Sequence, residues 1–177
     1  FNDFYSNIKF DIIIGNPPYL SLEKGFLKET IDLYKKEYKT IYKVYDIFGI
    51  FIEKSIRFLN TEGQLSFIVP STLFTNDSFE KLRTLMLEYN IEYCINLGDG
   101  VFENAVVPCC IFKLSNNKFQ KNINLEHGKN KYSLNISDIL GDKNSFRLGI
   151  DYEFNQEIIK YKNNSKNIIL GSLLDIK

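Results

Sequence analysis

The chain has 177 residues, 44% of them hydrophobic and 25% charged, and its 22 basic side chains balance 22 acidic ones. Those proportions are those of one ordinary globular domain, and they exclude disorder, collagen-like repeats and low-complexity scaffolding. A zero net charge argues against a compact, wholly basic nucleic-acid module, though not against a local basic face.

In chain order, no charged-apolar-small leader opens the sequence, so no targeting peptide is expected. Apolar runs such as residues 12–14 are far too short to span a bilayer. Residues 10–15 predict a buried strand: an aromatic, an acid, three isoleucines and a glycine stop. Residues 23–38 lean helical and carry many charges. Residues 46–59 predict an amphipathic helix with Phe48, Phe51, Ile52, Ser55, Ile56 and Leu59 on one face. Asp46 fits its N-cap and Gly63 the turn that closes it. Residues 64–69 predict the next strand, ended by Pro70. A helix capped by Asn76 or Asp77 then runs through Tyr89, with Phe79, Leu82, Leu85 and Met86 sharing a face.

Residues 91–97 predict a strand, Gly98-Asp99-Gly100 a turn, and residues 106–114 a further strand. After that the pattern changes. Asn, Lys and Ser dominate residues 115–121, which read as a loop. Residues 123–126 and 132–136 predict a short hairpin around Gly128. A modest helix over 151–161, a polar break over 163–166 and a final apolar segment over 168–177 complete the reading. No internal repeat occurs.

Alternating strands and helices predict an α/β fold, a mostly parallel sheet with helices on its faces. Ligands of such sheets bind beyond the carboxyl ends of the strands. Residues 16–19, 70–74 and 98–102 are therefore expected on one rim. Cys94, Cys109 and Cys110 lack zinc-like spacing and read as buried, reduced, intracellular thiols. The single His127 reads as an exposed loop residue; one His builds neither a triad nor a metal cage, so no metal site is expected.

The segment that carries chemistry is Asn16-Pro17-Pro18-Tyr19, directly after the first strand. Two prolines stiffen the backbone and remove two N–H donors, and the first biases Asn16 away from helical geometry. The result is an edge rich in acceptors, the Asn16 amide oxygen and the Pro17 carbonyl, with the flat ring of Tyr19 beside it. Such an edge suits a planar group bearing an NH2; the plainer reading is a strand-ending turn with an exposed Tyr. Residues 33–43 hold Lys35, Lys36, Lys39 and Lys43 against Glu37, with Tyr34, Tyr38 and Tyr42 at helical spacing. They read either as a solvated helix face or as a segment that contacts phosphates.

The sequence "DIIIGNPPY" resembles the catalytic strand and loop of amino-methyltransferases that use S-adenosylmethionine, most closely the gamma-class N(6)-adenine DNA methyltransferases of the TaqI type and of fused restriction-modification enzymes. "DIFGIFIEKSIRFL", "GQLSFIVPSTLF", "LRTLML", "VFENAVVPCCIFKL" and "LGSLLDIK" are similar, in order, to later segments of that family. The resemblance implies a fold, the C-terminal half of a Rossmann-like methyltransferase sheet with a small β extension. It implies a catalytic half over 1–121, a hairpin and helix extension over 122–166, and the start of a target-recognition domain over 167–177. It also implies roles. Asn16 and the Pro17 carbonyl, in the loop that Pro18 stiffens, accept hydrogen bonds from an adenine amino group. Tyr19 stacks on the flipped base and Phe102 holds it from another side. Asn16 and Phe51 meet the cofactor.

For Phe51 the plain alternative is helix core, and for Phe102 a plug under a Gly-rich turn. Lys35, Lys36 and Lys39 would touch DNA phosphates. Pro108-Cys109 matches the catalytic dipeptide of cytosine methyltransferases, but it lies in an apolar strand, so Cys109 and Cys110 read as core. The partners implied are double-stranded DNA, an N-terminal half carrying the Gly-rich cofactor loop, and a C-terminal recognition domain, with no membrane and a prokaryotic cytoplasmic setting. The expectation is therefore a fragment, largely inactive alone, of a restriction-modification methyltransferase. Methylation of another planar amino group, on a protein glutamine or an RNA base, and a non-catalytic DNA-binding remnant are the alternatives.

Overall fold

The computed structural model describes residues 8–102, 107–117 and 122–146. The expected helix over 151–161, the break over 163–166 and the segment over 168–177 lie outside the described residues. Among these residues the elements are β1 (Phe10–Gly15), α1 (Leu22–Gly25), α2 (Lys28–Glu37), α3 (Ile47–Arg57), β2 (Leu59–Pro70), α4 (Thr72–Thr75), a 3-10 turn (Asp77–Phe79) and α5 (Glu80–Met86). They continue with β3 (Asn90–Gly98), β4 (Cys109–Ser115), β5 (Asn122–His127), β6 (Asn130–Asn135), α6 (Ile136–Ile139) and a second 3-10 turn (Asp142–Asn144).

The strands form one sheet in the order β1-β2-β4-β3-β5-β6. β1 pairs with β2, and β3 with β5, in parallel; β4 runs against both its neighbours, and β6 against β5. β1, β2, β3 and β5 thus share a direction, while β4 enters between β2 and β3 and makes the sheet mixed. The shared direction places the carboxyl ends of β1, β2 and β3 on one rim, so the segments expected there are brought to it.

The core lies between α3, the 3-10 turn, α5 and the sheet. Phe48, Ile52 and Ile56 repeat every four residues along α3 and are buried with Leu65, Phe67, Phe74, Phe79, Phe112 and Leu114. Each such side chain contributes about 1.5–3 kcal/mol relative to exposure. Phe51 does not share that face: it is 44% exposed. A second stripe of α3, Ile47, Phe51 and Lys54, continued by Phe58, instead lines a groove of about 840 Å³ beside β1.

β1 itself is not buried. Among the described residues it stands at one end of the sheet, beside β2, and Ile12 and Ile14 are 67% and 75% exposed. The helix expected over 23–38 is broken in two, because Gly25 ends α1 and Phe26 and Leu27 are extended. α2 stops at Glu37, so Tyr34, Tyr38 and Tyr42 do not share one helix face. The reason lies on α3. The buried Glu53 carboxylate accepts the backbone N–H groups of Lys39 and Thr40 at 3.2 and 3.0 Å, and the Thr40 hydroxyl at 2.6 Å. Arg57 pairs with the same carboxylate. Burial alone would raise the Glu53 pKa, but the bonds from Thr40, Arg57 and Lys39 outweigh it and hold it below the usual carboxylate range.

Helix α3 ends before Leu59, which already belongs to β2, and Asp46 makes no side-chain cap bond at its start. Gly63 therefore lies inside a strand and closes no turn. Phe10 pairs with Leu59 but Ile12 with Gln64, so the residues between bulge out of the ladder. A Cβ at Gly63 would stand 2.8 Å from the Phe10 carbonyl oxygen, which is why glycine is there. Asn76 does cap, its Oδ1 accepting the Ser78 N–H at 2.9 Å, but a 3-10 turn comes first and α5 is shorter than expected. β4 begins at Cys109, after Pro108, rather than at residue 106. The hairpin around Gly128 forms as β5 and β6, and His127 is the last residue of β5, paired with Asn130, rather than a loop residue.

Candidate active site

The corner follows β1 directly. Gly15 pairs with Phe67 of β2, and a Cβ there would lie 3.2 Å from the Phe67 ring, so the strand approaches β2 closely where it ends. Asn16 is exposed, and its amide has no partner among the described residues. Pro17 is buried, Pro18 exposed and Tyr19 partly buried. Beyond the corner the chain is fastened to the start of α3: the Ile47 N–H donates to the Leu20 carbonyl at 2.8 Å, and the Leu22 N–H to that of Tyr45 at 2.9 Å. A proline-stiffened turn anchored on both sides thus presents an unused amide at the rim.

Tyr19 is held at its tip and along its ring. Its hydroxyl donates to the Ile68 carbonyl of β2 at 3.1 Å. Its ring meets Phe48 edge-on, centroids 6.3 Å apart and planes at 84°. Phe102, which follows β3 after the Gly98-Asp99-Gly100 turn, approaches it at 6.4 Å and 65°. Both glycines of that turn have positive φ, 70° and 75°, a conformation that glycine adopts without strain. Two aromatic rings expected to act together are therefore close, although they belong to different strands. Burial, and then the neighbouring Cys109, push the Tyr19 pKa well up, so the phenol keeps its proton.

Phe51 lies in the groove beside β1, with Phe10, Ile12 and Ile14 on the opposite wall and Glu37, Lys54 and Ser55 as its polar lining. The helix-core reading of Phe51 is thereby set aside. Helix α2 borders the same groove through Tyr34, and Lys35, Lys36 and Lys39 are exposed. Lys43 is tied to Asp77 at 3.8 Å. Cys94, Cys109 and Cys110 are free and buried, as core thiols would be.

Sequence reasoning missed two supports of this rim. The Ile68 carbonyl reaches Tyr19 from another strand, and no spacing announces it. Arg83 is the second. It is fully buried on α5 and donates to the carbonyls of Leu73 at 2.9 Å, Asn76 at 2.7 Å, Asn144 at 2.9 Å and Lys143 at 3.0 Å. It fastens the rim segment after β2 to the turn that precedes Phe146. Phe146 repeats the link, its N–H donating to the Phe74 carbonyl at 2.7 Å and its ring 4.7 Å from that of Phe74.

Comparison with known proteins gives a consistent picture. The family described as Eco57I restriction-modification methylase matches residues 1–102. The type II restriction enzyme and methyltransferase RM.Eco57I of Escherichia coli is 36% identical over 62% of this chain and 11% of its own length. The type II methyltransferase M.TthHB8I of Thermus thermophilus is 41% identical over 59% of this chain and 26% of its own. M.HincII of Haemophilus influenzae is 35% identical over 76% and 28%. The chain spans between 11% and 28% of the length of these relatives.

Among solved structures, the type ISP restriction-modification enzyme LlaBIII bound to DNA aligns with a TM-score of 0.59 at 13% identity, over 85% of this chain and 14% of that one. A protein of Listeria monocytogenes provisionally described as a class I S-adenosylmethionine-dependent methyltransferase aligns at 0.53 and 22%, over 67% and 36%. These likenesses show the fold, the Rossmann-like α/β sheet of S-adenosylmethionine-dependent methyltransferases.

Proposed function

The chain belongs to the Eco57I restriction-modification methylase family, and from that premise we propose that the intact protein methylates the exocyclic amino group of an adenine flipped out of duplex DNA. The observation that carries the reading is the corner Asn16-Pro17-Pro18-Tyr19 at the carboxyl end of β1, with Phe102 beside Tyr19. An adenine amino lone pair is delocalised into the ring and is a poor nucleophile. The Asn16 amide oxygen and the Pro17 carbonyl accept its two hydrogens, favour a more tetrahedral nitrogen and localise the pair. This is positioning plus preorganised electrostatics. With the pair localised, the nitrogen would form the new N–C bond to the methyl group that the cofactor supplies, and one amino proton would leave to solvent.

S-adenosylmethionine, when bound, supplies a methyl group already activated on sulfur. The groove beside β1 suits part of that cofactor, because Phe51 turns an exposed aromatic face into it opposite Ile12 and Ile14. A base within a duplex cannot reach the corner, so it must be extruded, and the Tyr19 and Phe102 rings offset the stacking it gives up. MmeI and LlaBIII have been solved with DNA; for this chain, exposed Lys35, Lys36 and Lys39 would meet phosphates.

The test is methyl transfer by the intact protein to duplex DNA, with the modified base mapped. N(6)-methyladenine at a fixed site is the expected product. Methylation of cytosine, or of a protein glutamine or RNA alone, contradicts the reading.

A further inference from the structure

We propose that Lys43, Lys81 and Lys143, gathered around Tyr42 and Asp77, hold backbone phosphates of the DNA strand whose base enters the corner at Asn16. The inference rests on the base-flipping reading above and goes beyond it, because it assigns that strand a path over the rim. Three segments far apart in the chain converge here. The ammonium groups of Lys43 and Lys81 each stand 5.1 Å from the centroid of the Tyr42 ring. Lys43 and Lys143 both pair with the same carboxylate oxygen of Asp77, Lys43 at 3.8 Å. Tyr42, Lys43, Lys81 and Lys143 are all exposed. Drawing three cations together costs mutual repulsion, which Asp77, with Glu80 near Lys143, offsets in part. A phosphodiester, with one negative charge on two free oxygens, offsets it further.

The backbone is bent where it delivers these side chains. Lys43 and Lys143 have φ of 55° and 53°, in the left-handed region that a residue with a Cβ seldom adopts. Lys143 is held there by buried Arg83, which donates to the carbonyls of Lys143 and Asn144. The patch also lies where a strand leaving the corner must pass. Lys43 is two residues before Tyr45, whose carbonyl accepts the Leu22 N–H just beyond the corner. Asp77 opens the 3-10 turn that follows α4 on the rim, and Phe79 closes it. Phe79 lies 5.1 Å from Tyr45 and 4.9 Å from Phe48, which in turn meets Tyr19 at 6.3 Å. A row of packed rings thus fixes the patch relative to the base site. An extruded base stays joined to its neighbours through phosphodiesters, so its own strand crosses the rim within a few nucleotides. The last turn of α2, with Lys35 and Lys36, lies toward the other end of α3, where Arg57 donates to the Glu37 carbonyl and stands over the Tyr38 ring. Those lysines are outer contacts, and the patch around Tyr42 is the inner one.

The experiment measures binding of the intact protein to target and non-target duplex DNA across a range of salt concentrations, with thermal unfolding of each variant alongside. Each phosphate contact contributes about 0.9 to the slope of log K against log salt. The triple variant K43Q/K81Q/K143Q should lower that slope by about 2–3, equally on the two DNAs. Lys81→Gln alone, which leaves both Asp77 ion pairs in place, should lower it by about 1, and Lys81→Arg should keep it. Lysines that served the fold alone would shift the unfolding temperature and leave the slope unchanged. A wild-type slope in the triple variant or in Lys81→Gln overturns the inference, as does a larger drop in K35Q/K36Q than in the triple variant. Methylation by the wild-type protein separates the two levels. If it modifies adenine in duplex DNA while the variants keep the wild-type slope, the phosphate site alone falls. If it does not, the base-flipping reading falls and takes the site with it.

Discussion

The rings of Tyr19 and Phe102 stand 6.4 Å apart at 65°, one ending the turn after β1 and the other following β3. The shared direction of β1 and β3 brings the two residues, 83 positions apart in the chain, to one rim. A base gripped there loses part of its hold when either ring is removed. Phe102→Ala should weaken productive DNA binding by about 1–3 kcal/mol, the range for one stacked base. The measurement is the affinity of the intact protein for target DNA against non-target DNA. The loss should appear on target DNA and be nearly absent on the other.

Arg83 makes four bonds to backbone carbonyls, and two of those acceptors lie beyond the hairpin, at Lys143 and Asn144. Arg83→Met fills much of the space and satisfies none of them. Buried carbonyls left without donors cost about 1–3 kcal/mol each before relaxation. A loss of at least about 3 kcal/mol in urea unfolding is expected. Loss of the Asn144 Nδ2 bond to the Thr84 hydroxyl at 3.0 Å, through Thr84→Val, should cost well under about 1.5 kcal/mol, since that contact is exposed.

Glu53 gives the fold an acid limit. Its carboxyl is held below the usual range by Thr40, Arg57 and Lys39 against the cost of burial. A depressed native pKa contributes stability that is whole above the ordinary glutamate value, about 4.3, and is lost as pH falls through the native value. Glu53→Gln should therefore be less stable than wild type at pH 7, by about 1–3 kcal/mol. The gap should narrow as unfolding is repeated at successively lower pH below about 4.3. A gap independent of pH would show that the charge contributes nothing.

Much of this architecture can be read from the residues. The isoleucine run before the proline pair, the apolar strand after Gly63 and the glycine between two short β segments each carry a local signal strong enough to survive tertiary packing. What cannot be read is what distant groups impose. α2 ends because a carboxylate on α3 takes the N–H groups of Lys39 and Thr40. β2 starts early because a bulge, with Glu62 at φ 63°, lets residues that look like a turn rejoin the ladder. Phe51 shares an apolar helical spacing with Phe48, yet among the described residues it lines the groove between α3 and β1 rather than the core. In the site, the tetrapeptide and its aromatic partner are visible in the chain. The Ile68 carbonyl that holds Tyr19 is not, because a backbone atom has no sequence signature.

The central claim is that Asn16 offers a lone pair to an adenine amino group. Its most direct measurement is single-turnover methyl transfer by Asn16→Ala in the intact protein, on target DNA, alongside binding of the same DNA. The account predicts loss of transfer by at least about a hundredfold, the scale of removing one preorganised hydrogen-bonding group from a transition state, with DNA affinity changed only slightly. Transfer to adenine at the wild-type rate would contradict it.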